Sequence, residues 1–219
     1  MRAFHTATLF AGIALAALLA SGTAGAAPAL LDGFDYDAPR AEMEARPGAQ
    51  KGEEKFAEDL FFKGVQWAGF AWTAQCSFAG GKLKGVTLYS AWSRELLGHV
   101  SAYLKERKFQ MLGMILDDTA LDIISLAKLG GREAFQKRFR ELTSAKTPQR
   151  ISYEWFDGQK IPQEQFSDAA SLGQLLTLVP EDTLQVDVTQ SASLNDDKLE
   201  NRMLSIQFSY PVMDALQAK

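Results

Sequence analysis

WAGFAWTAQCSFAGGKL, residues 67–83, decides the fold. Taken in twos, Ala68, Phe70, Trp72, Ala74, Cys76 and Phe78 share one face, and Gly69, Ala71, Thr73, Gln75 and Ser77 share the other. A period of two with one apolar face marks a half-buried strand. Gly80-Gly81 suits a two-residue hairpin turn, because glycine accepts the positive φ such turns demand. Leu83 to Ser90 is the returning strand. Its apolar residues change parity between Leu83 and Val86, with Gly85 between them, which predicts a β-bulge there. Upstream, Leu60-Phe61-Phe62 before Lys63-Gly64 predicts a preceding strand and turn, and hence a three-stranded meander. Trp67 has the opposite parity from Phe70 and Trp72 and is expected on the outer face of the sheet.

Downstream, Ser93 opens a helix in which Leu96, Leu97, Val100, Tyr103 and Leu104 form one apolar stripe. Ser93 suits the N-cap, and Glu95 the first turn. FQMLGMIL, residues 109–116, reads as a strand buried on both faces. Asp118 or Thr119 then caps a helix containing Leu121, Ile124 and Leu129, stopped by Gly130-Gly131. A further helix, Arg132 to about Ser144, buries Phe135, Phe139 and Leu142. Beyond Pro148, Ile151, Tyr153 and Trp155 alternate with Ser152, Glu154 and Phe156. Ser171 to Val179 reads as a short helix ended by Pro180. Leu184, Val186 and Val188 alternate, as do Leu204, Ile206, Phe208 and Tyr210, with the polar SASLNDDKLENR as the loop of a long hairpin. The order predicts an α+β fold, a largely antiparallel sheet with helices packed on one face.

MRAFHTATLFAGIALAALLASGTAGA, residues 1–26, reads as a cleavable signal peptide. Arg2 starts it, Leu9 to Ala20 is too short an apolar run to span a bilayer, and Ala24-Gly25-Ala26 offers the small residues of a cleavage site. No cysteine lies there to carry a lipid anchor. The mature chain is expected to be periplasmic or secreted, without a transmembrane segment. Residues 27–52, with Pro28, Pro39 and Pro47, read as a loosely ordered segment in which Asp37-Ala38-Pro39 caps a short helix to about Arg46. Residues 53–219 read as a single α+β domain. Without the leader, 22 basic residues face 27 acidic ones, a net charge of −5. Such a chain is a poor partner for nucleic acid. Its one cysteine permits no internal disulfide.

Chemistry-bearing constellations are scarce. Cys76 and His99, the one histidine left after processing, are the candidates for a nucleophile and its base, should the 93–104 helix pack on the Cys76 face. An apolar sheet face around a lone thiol reads more simply as core. One cysteine and one histidine make no structural zinc site. Asp117, Asp118 and Asp122, and the loop residues Asn195-Asp196-Asp197 with Glu200, lack the spacing of a calcium loop. Neither GxGxxG, GxxxxGK nor GxSxG occurs. No cofactor and no metal is expected.

One charge asymmetry stands out. Lys128, Arg132, Lys137, Arg138, Arg140, Lys146 and Arg150 face only Glu133 and Glu141 between positions 128 and 150. Arg132, Lys137, Arg138 and Arg140 form the candidate binding patch for an envelope protein or an anionic ligand. The expectation is an exported, non-enzymatic interaction or ligand-binding module. The alternative is an envelope hydrolase using carboxylates, or Cys76 with His99.

Overall fold

The computed structural model describes residues 28–144, 147–192 and 202–217. The expected leader (1–26), Lys146 and the residues Asn195, Asp196, Asp197 and Glu200 lie outside the described residues. The α+β class with an antiparallel sheet holds. Eleven strands occur among the described residues: β1 (Ala29–Leu31), β2 (Phe34–Asp35), β3 (Gln50–Lys51), β4 (Leu60–Trp67), β5 (Phe70–Ala79), β6 (Lys82–Ala91), β7 (Phe109–Leu116), β8 (Thr119–Asp122), β9 (Arg150–Asp157), β10 (Gln185–Ala192) and β11 (Arg202–Ser209). Between and after them run α1 (Arg40–Glu44), α2 (Arg94–Glu106), α3 (Ile123–Ser144), α4 (Gln163–Asp168), α5 (Leu172–Leu176) and α6 (Pro211–Gln217). Nine strands make one antiparallel sheet in the order β3-β4-β5-β6-β11-β10-β9-β7-β8, and β1 and β2 form a separate small hairpin.

Register explains the two faces. Leu60, Cys76, Val86, Phe208, Val186, Trp155 and Met111 are successive cross-strand partners, as are Phe62, Ala74, Leu88, Ile206, Val188, Tyr153, Met114 and Leu121. These rows form the core face. Leu96, Val100 and Leu104 of α2 pack on its middle, and Leu126, Phe135 and Phe139 of α3 on its β7–β8 end. The row between them runs Phe61, Gln75, Thr87, Gln207, Asp187, Glu154, Gly113, Asp122 on the opposite, outer face. The two long helices thus share one face, as the sequence implies. The short α4 and α5 cover Leu112 and Phe156 at one end of the other.

Local signals place several elements well. The Ser93 hydroxyl accepts from the Leu96 N–H at 3.0 Å and caps α2. Gly80 and Gly81 turn with φ of 58° and 74°. Ser77 pairs with Gly85 and Phe78 with Leu83, so Lys84 is the extra residue of the expected bulge. The bulge aims the Lys84 ammonium at Asp37 Oδ1, 2.5 Å away. Gly130 and Gly131 break α3 with φ of 155° and 59°, at the point where the sequence ends one helix and begins the next.

Four expectations need correction. Lys63-Gly64 is not a turn: β4 runs on through a bulge at Gly64, and the turn is Ala68-Gly69, with φ of 51° and 81°. Parity does not carry across a hairpin, so Trp67 is not on the outer face. Its ring meets Trp72, Tyr103 and Phe208 at 6.1, 4.9 and 5.4 Å, which shows the β4–β5 hairpin curling over the core face. Thr119–Asp122 is a strand rather than a helix start; Asp117-Asp118 makes its turn, and Asp122 caps α3 through the Ser125 N–H at 3.1 Å. Finally, the segment after Pro28 is not loose. Leu30, Tyr36 and Met43 are almost fully buried in the main core. Asp37 serves as the partner of Lys82 and Lys84 and makes no cap to α1, whose N-cap is Pro39.

Candidate functional site

Cys76 is fully buried between Leu60 and Val86 on the core face. Burial pushes its thiol up to about 12; the charges that reach it are Arg46, which lowers it, and Asp59, which raises it. A thiol protonated at every ordinary pH and closed off from water is core filling, not a nucleophile. His99 is exposed on α2. Its Nε2 lies 3.0 Å from the Ala68 carbonyl oxygen and its ring stands edge-on to Phe70 at 5.0 Å. Histidine therefore fastens α2 to the β4–β5 turn. Phe70 and Cys76 are six residues apart on one strand, up to ~20 Å, so the fold does not bring imidazole and thiol together.

The outer face holds a polar feature that no spacing in the sequence points to. Asp187 and Glu154 are direct cross-strand partners on β10 and β9. Both are half-buried, and both carboxyls are held above the usual carboxylate range. For Glu154 burial is the main cause, followed by the charges of Asp187 and Asp122; for Asp187 burial acts against a bond from Gln185 Nε2 at 2.8 Å. Gly113 makes room for this arrangement, since a Cβ there would stand 1.9 Å from Glu154 Oε2. Asp122 is occupied structurally. It accepts from Ser125 and, at 2.8 Å, from the Leu172 N–H, joining the starts of α3 and α5. Among the described residues no three His, Cys, Asp or Glu side chains converge as a metal site would need.

Two grooves lie elsewhere. The first, about 240 Å³, sits where α3 breaks, lined by Met111, Ile123, Leu126, Ala127, Phe135 and Arg132. Leu129, at the end of the first half of α3, is 79% exposed. Past the break, Phe135 and Phe139 stack on each other at 6.0 Å and pack on the sheet, which turns the basic residues outward. Arg132, Lys137, Arg138 and Arg140 are all exposed. Arg138 pairs with Glu141 at 3.3 Å and Arg140 donates to the Gln136 carbonyl. Arg132 and Lys137 make no ion pair among the described residues. Of the expected basic patch, Arg132 also lines an apolar groove, which sequence reasoning missed because the groove exists only once α3 bends over Met111 of β7.

The second groove, about 260 Å³, opens between the β1–β2 hairpin and the end of α2. Trp67, Tyr103, Phe109, Leu184 and Phe208 line it, with Arg107 at the helix end. Its parts come from five separated stretches of chain, so no local signal could have announced it. Neither groove is lined by Asp187 or Glu154. The chain matches no protein-family profile, no curated protein and no solved structure.

Proposed function

We propose that this chain is an exported, non-enzymatic interaction module that docks an acidic, partly apolar segment of an envelope protein on α3. One observation carries the proposal: an apolar groove opens where α3 breaks, with Arg132, which has no ion-pair partner among the described residues, in its lining, and the exposed Leu129 ends the half-helix before it. An open apolar groove bordered by a charged side chain is the kind of surface that marks a contact site. The guanidinium of Arg132 at the groove, with the exposed Lys137 further along the same half-helix, favours an acidic partner and makes association salt-sensitive. The hydrolase alternative draws no comparable support, since Cys76 is sealed and the half-buried acids face neither groove.

The test is retention of envelope proteins from the host on the immobilised chain, at low salt and at 0.5 M salt (about a 4–5 Å screening length). A specific partner should be held at low salt, released at high salt, and lost on both Leu129→Glu and Arg132→Glu/Lys137→Glu. The proposal fails if nothing is retained, or if whatever is retained survives both variants.

A further inference from the structure

We infer that the groove between the β1–β2 hairpin and α2 is a binding site for a small amphipathic carboxylate, with its apolar body among the aromatic rings and its acid on Arg107. The site is independent of the α3 surface. It is built in three layers. Phe208 and Leu184 supply the floor from the core face of the sheet. Leu30 and Leu31 of β1 form one wall, and Leu104 and Tyr103 of α2 the other. Trp67, delivered by the curled β4–β5 hairpin, lies against Tyr103 and Phe208.

Arg107 supplies the polarity. It is the C-cap residue of α2, and its guanidinium carbon sits 3.5 Å above the centroid of the Tyr103 ring. Stacking fixes the plane of a guanidinium without consuming its in-plane N–H donors, which stay free for a planar oxyanion. Arg107 makes no ion pair among the described residues. Its backbone is pinned as well: the carbonyl accepts from Gln159 Nε2 at 3.3 Å. A fixed, unneutralised guanidinium at the mouth of an aromatic groove selects a carboxylate attached to an apolar body.

Size and charge narrow the ligand. An open groove of about 260 Å³ lies just under the usual size of small-molecule sites, which suits a ligand with a medium-length apolar body. Asp32, in the exposed β1–β2 turn, is the one acid on this groove. An acid on the groove disfavours more highly charged anions, so a monocarboxylate is the anion that fits. A second hollow continues from the first past Arg107 and Phe109 to Tyr210 and the Lys160–Asp182 ion pair, 2.5 Å apart. Lys160 is already neutralised there, which leaves Arg107 as the cation available to the ligand.

Decanoate, below its micellar concentration, is the probe, and Trp67 is the reporter, the one of four tryptophans that lines the groove. Decanoate should change the fluorescence saturably, and decanol and decyltrimethylammonium should bind at least about tenfold more weakly. Arg107→Gln should weaken decanoate about tenfold or more, as expected for a lost charge-assisted bond, with an unchanged melting temperature. Asp32→Asn should tighten it. Leu184→Trp, which fills the floor, should abolish it. In Trp67→Phe the fluorescence response should vanish. Equal binding of decanoate and decanol, full binding by Arg107→Gln, a response that persists without Trp67, or no saturable response to decanoate would each overturn the assignment.

Discussion

Replacing Asp187 by asparagine should stabilise this protein at neutral pH and leave it unchanged at acid pH. Asp187 and Glu154 face each other directly across β10 and β9, with Asp122 further along the same row. Like charges placed directly opposite in an antiparallel pair cost roughly 0.2–1 kcal/mol, and half-burial moves this case to the upper end. Asparagine keeps the shape and keeps an oxygen for Gln185 Nε2, so the hydrogen bond survives. The expected gain is about 1 kcal/mol, a rise in melting temperature of ~2–4 °C for a chain of this size. Both carboxyls lie above their ordinary values of 4.5 and 3.8 in the folded chain. The folded state therefore binds more protons than the unfolded state, and stability falls as pH rises through that interval. Below the ordinary values both states are protonated and the penalty disappears; above the raised values it is complete. Thermal melts of Asp187→Asn and wild type at pH 8 and pH 3 measure this directly. A gain of equal size at both pH values, or none at pH 8, would refute the electrostatic account of the outer face.

Two further outcomes follow from burial. A thiol reagent at pH 8 should leave Cys76 unmodified in the native protein over hours and label it rapidly in 6 M urea, because the thiol is fully buried and held up to about 12; labelling of the native chain within minutes would refute this. Met43→Ala should cost about 2–5 kcal/mol in urea unfolding, since Met43 is 0% exposed in the main core. An unchanged midpoint would mean that the segment around α1 is no part of the cooperative unit.

How much of this could be read from the chain varies with the range of the interaction. Phe109–Leu116 has the bounds the apolar run implies, and Ser93 and Gly80-Gly81 announce their roles through their own backbone chemistry. The Ala68-Gly69 turn was hidden because alanine seldom adopts a φ of 51° and because apolar residues continue straight through it. Asp118 reads as a helix cap for a related reason: aspartate suits both a cap and a turn, and the turn here is made with Asp117 left-handed at a φ of 52°. Leu30 and Met43 lie on elements of three and five residues and Tyr36 in the turn after β2, all too short to show a period, and are placed by tertiary packing alone. The basic face of α3 was legible from the helical spacing of Phe135 and Phe139. The hollow beside it, the Arg107 groove and the Asp187–Glu154 pair were not, for each depends on a register or a helix placement that joins distant stretches.

β11 occupies the fifth of nine places in the sheet, between β6 and β10, although it is the last strand among the described residues. Synthesis therefore delivers the keystone after both of the strands it joins. A nascent polypeptide that stops short of Arg202 carries two half-sheets whose inner borders, β6 and β10, both present unpaired amides and carbonyls. Joining Gly85 to Ser209 closes a long-range pairing that must await β11, the kind of contact that slows folding. Nonsense alleles near position 200 should consequently yield self-associating aggregates rather than a smaller, partly functional protein.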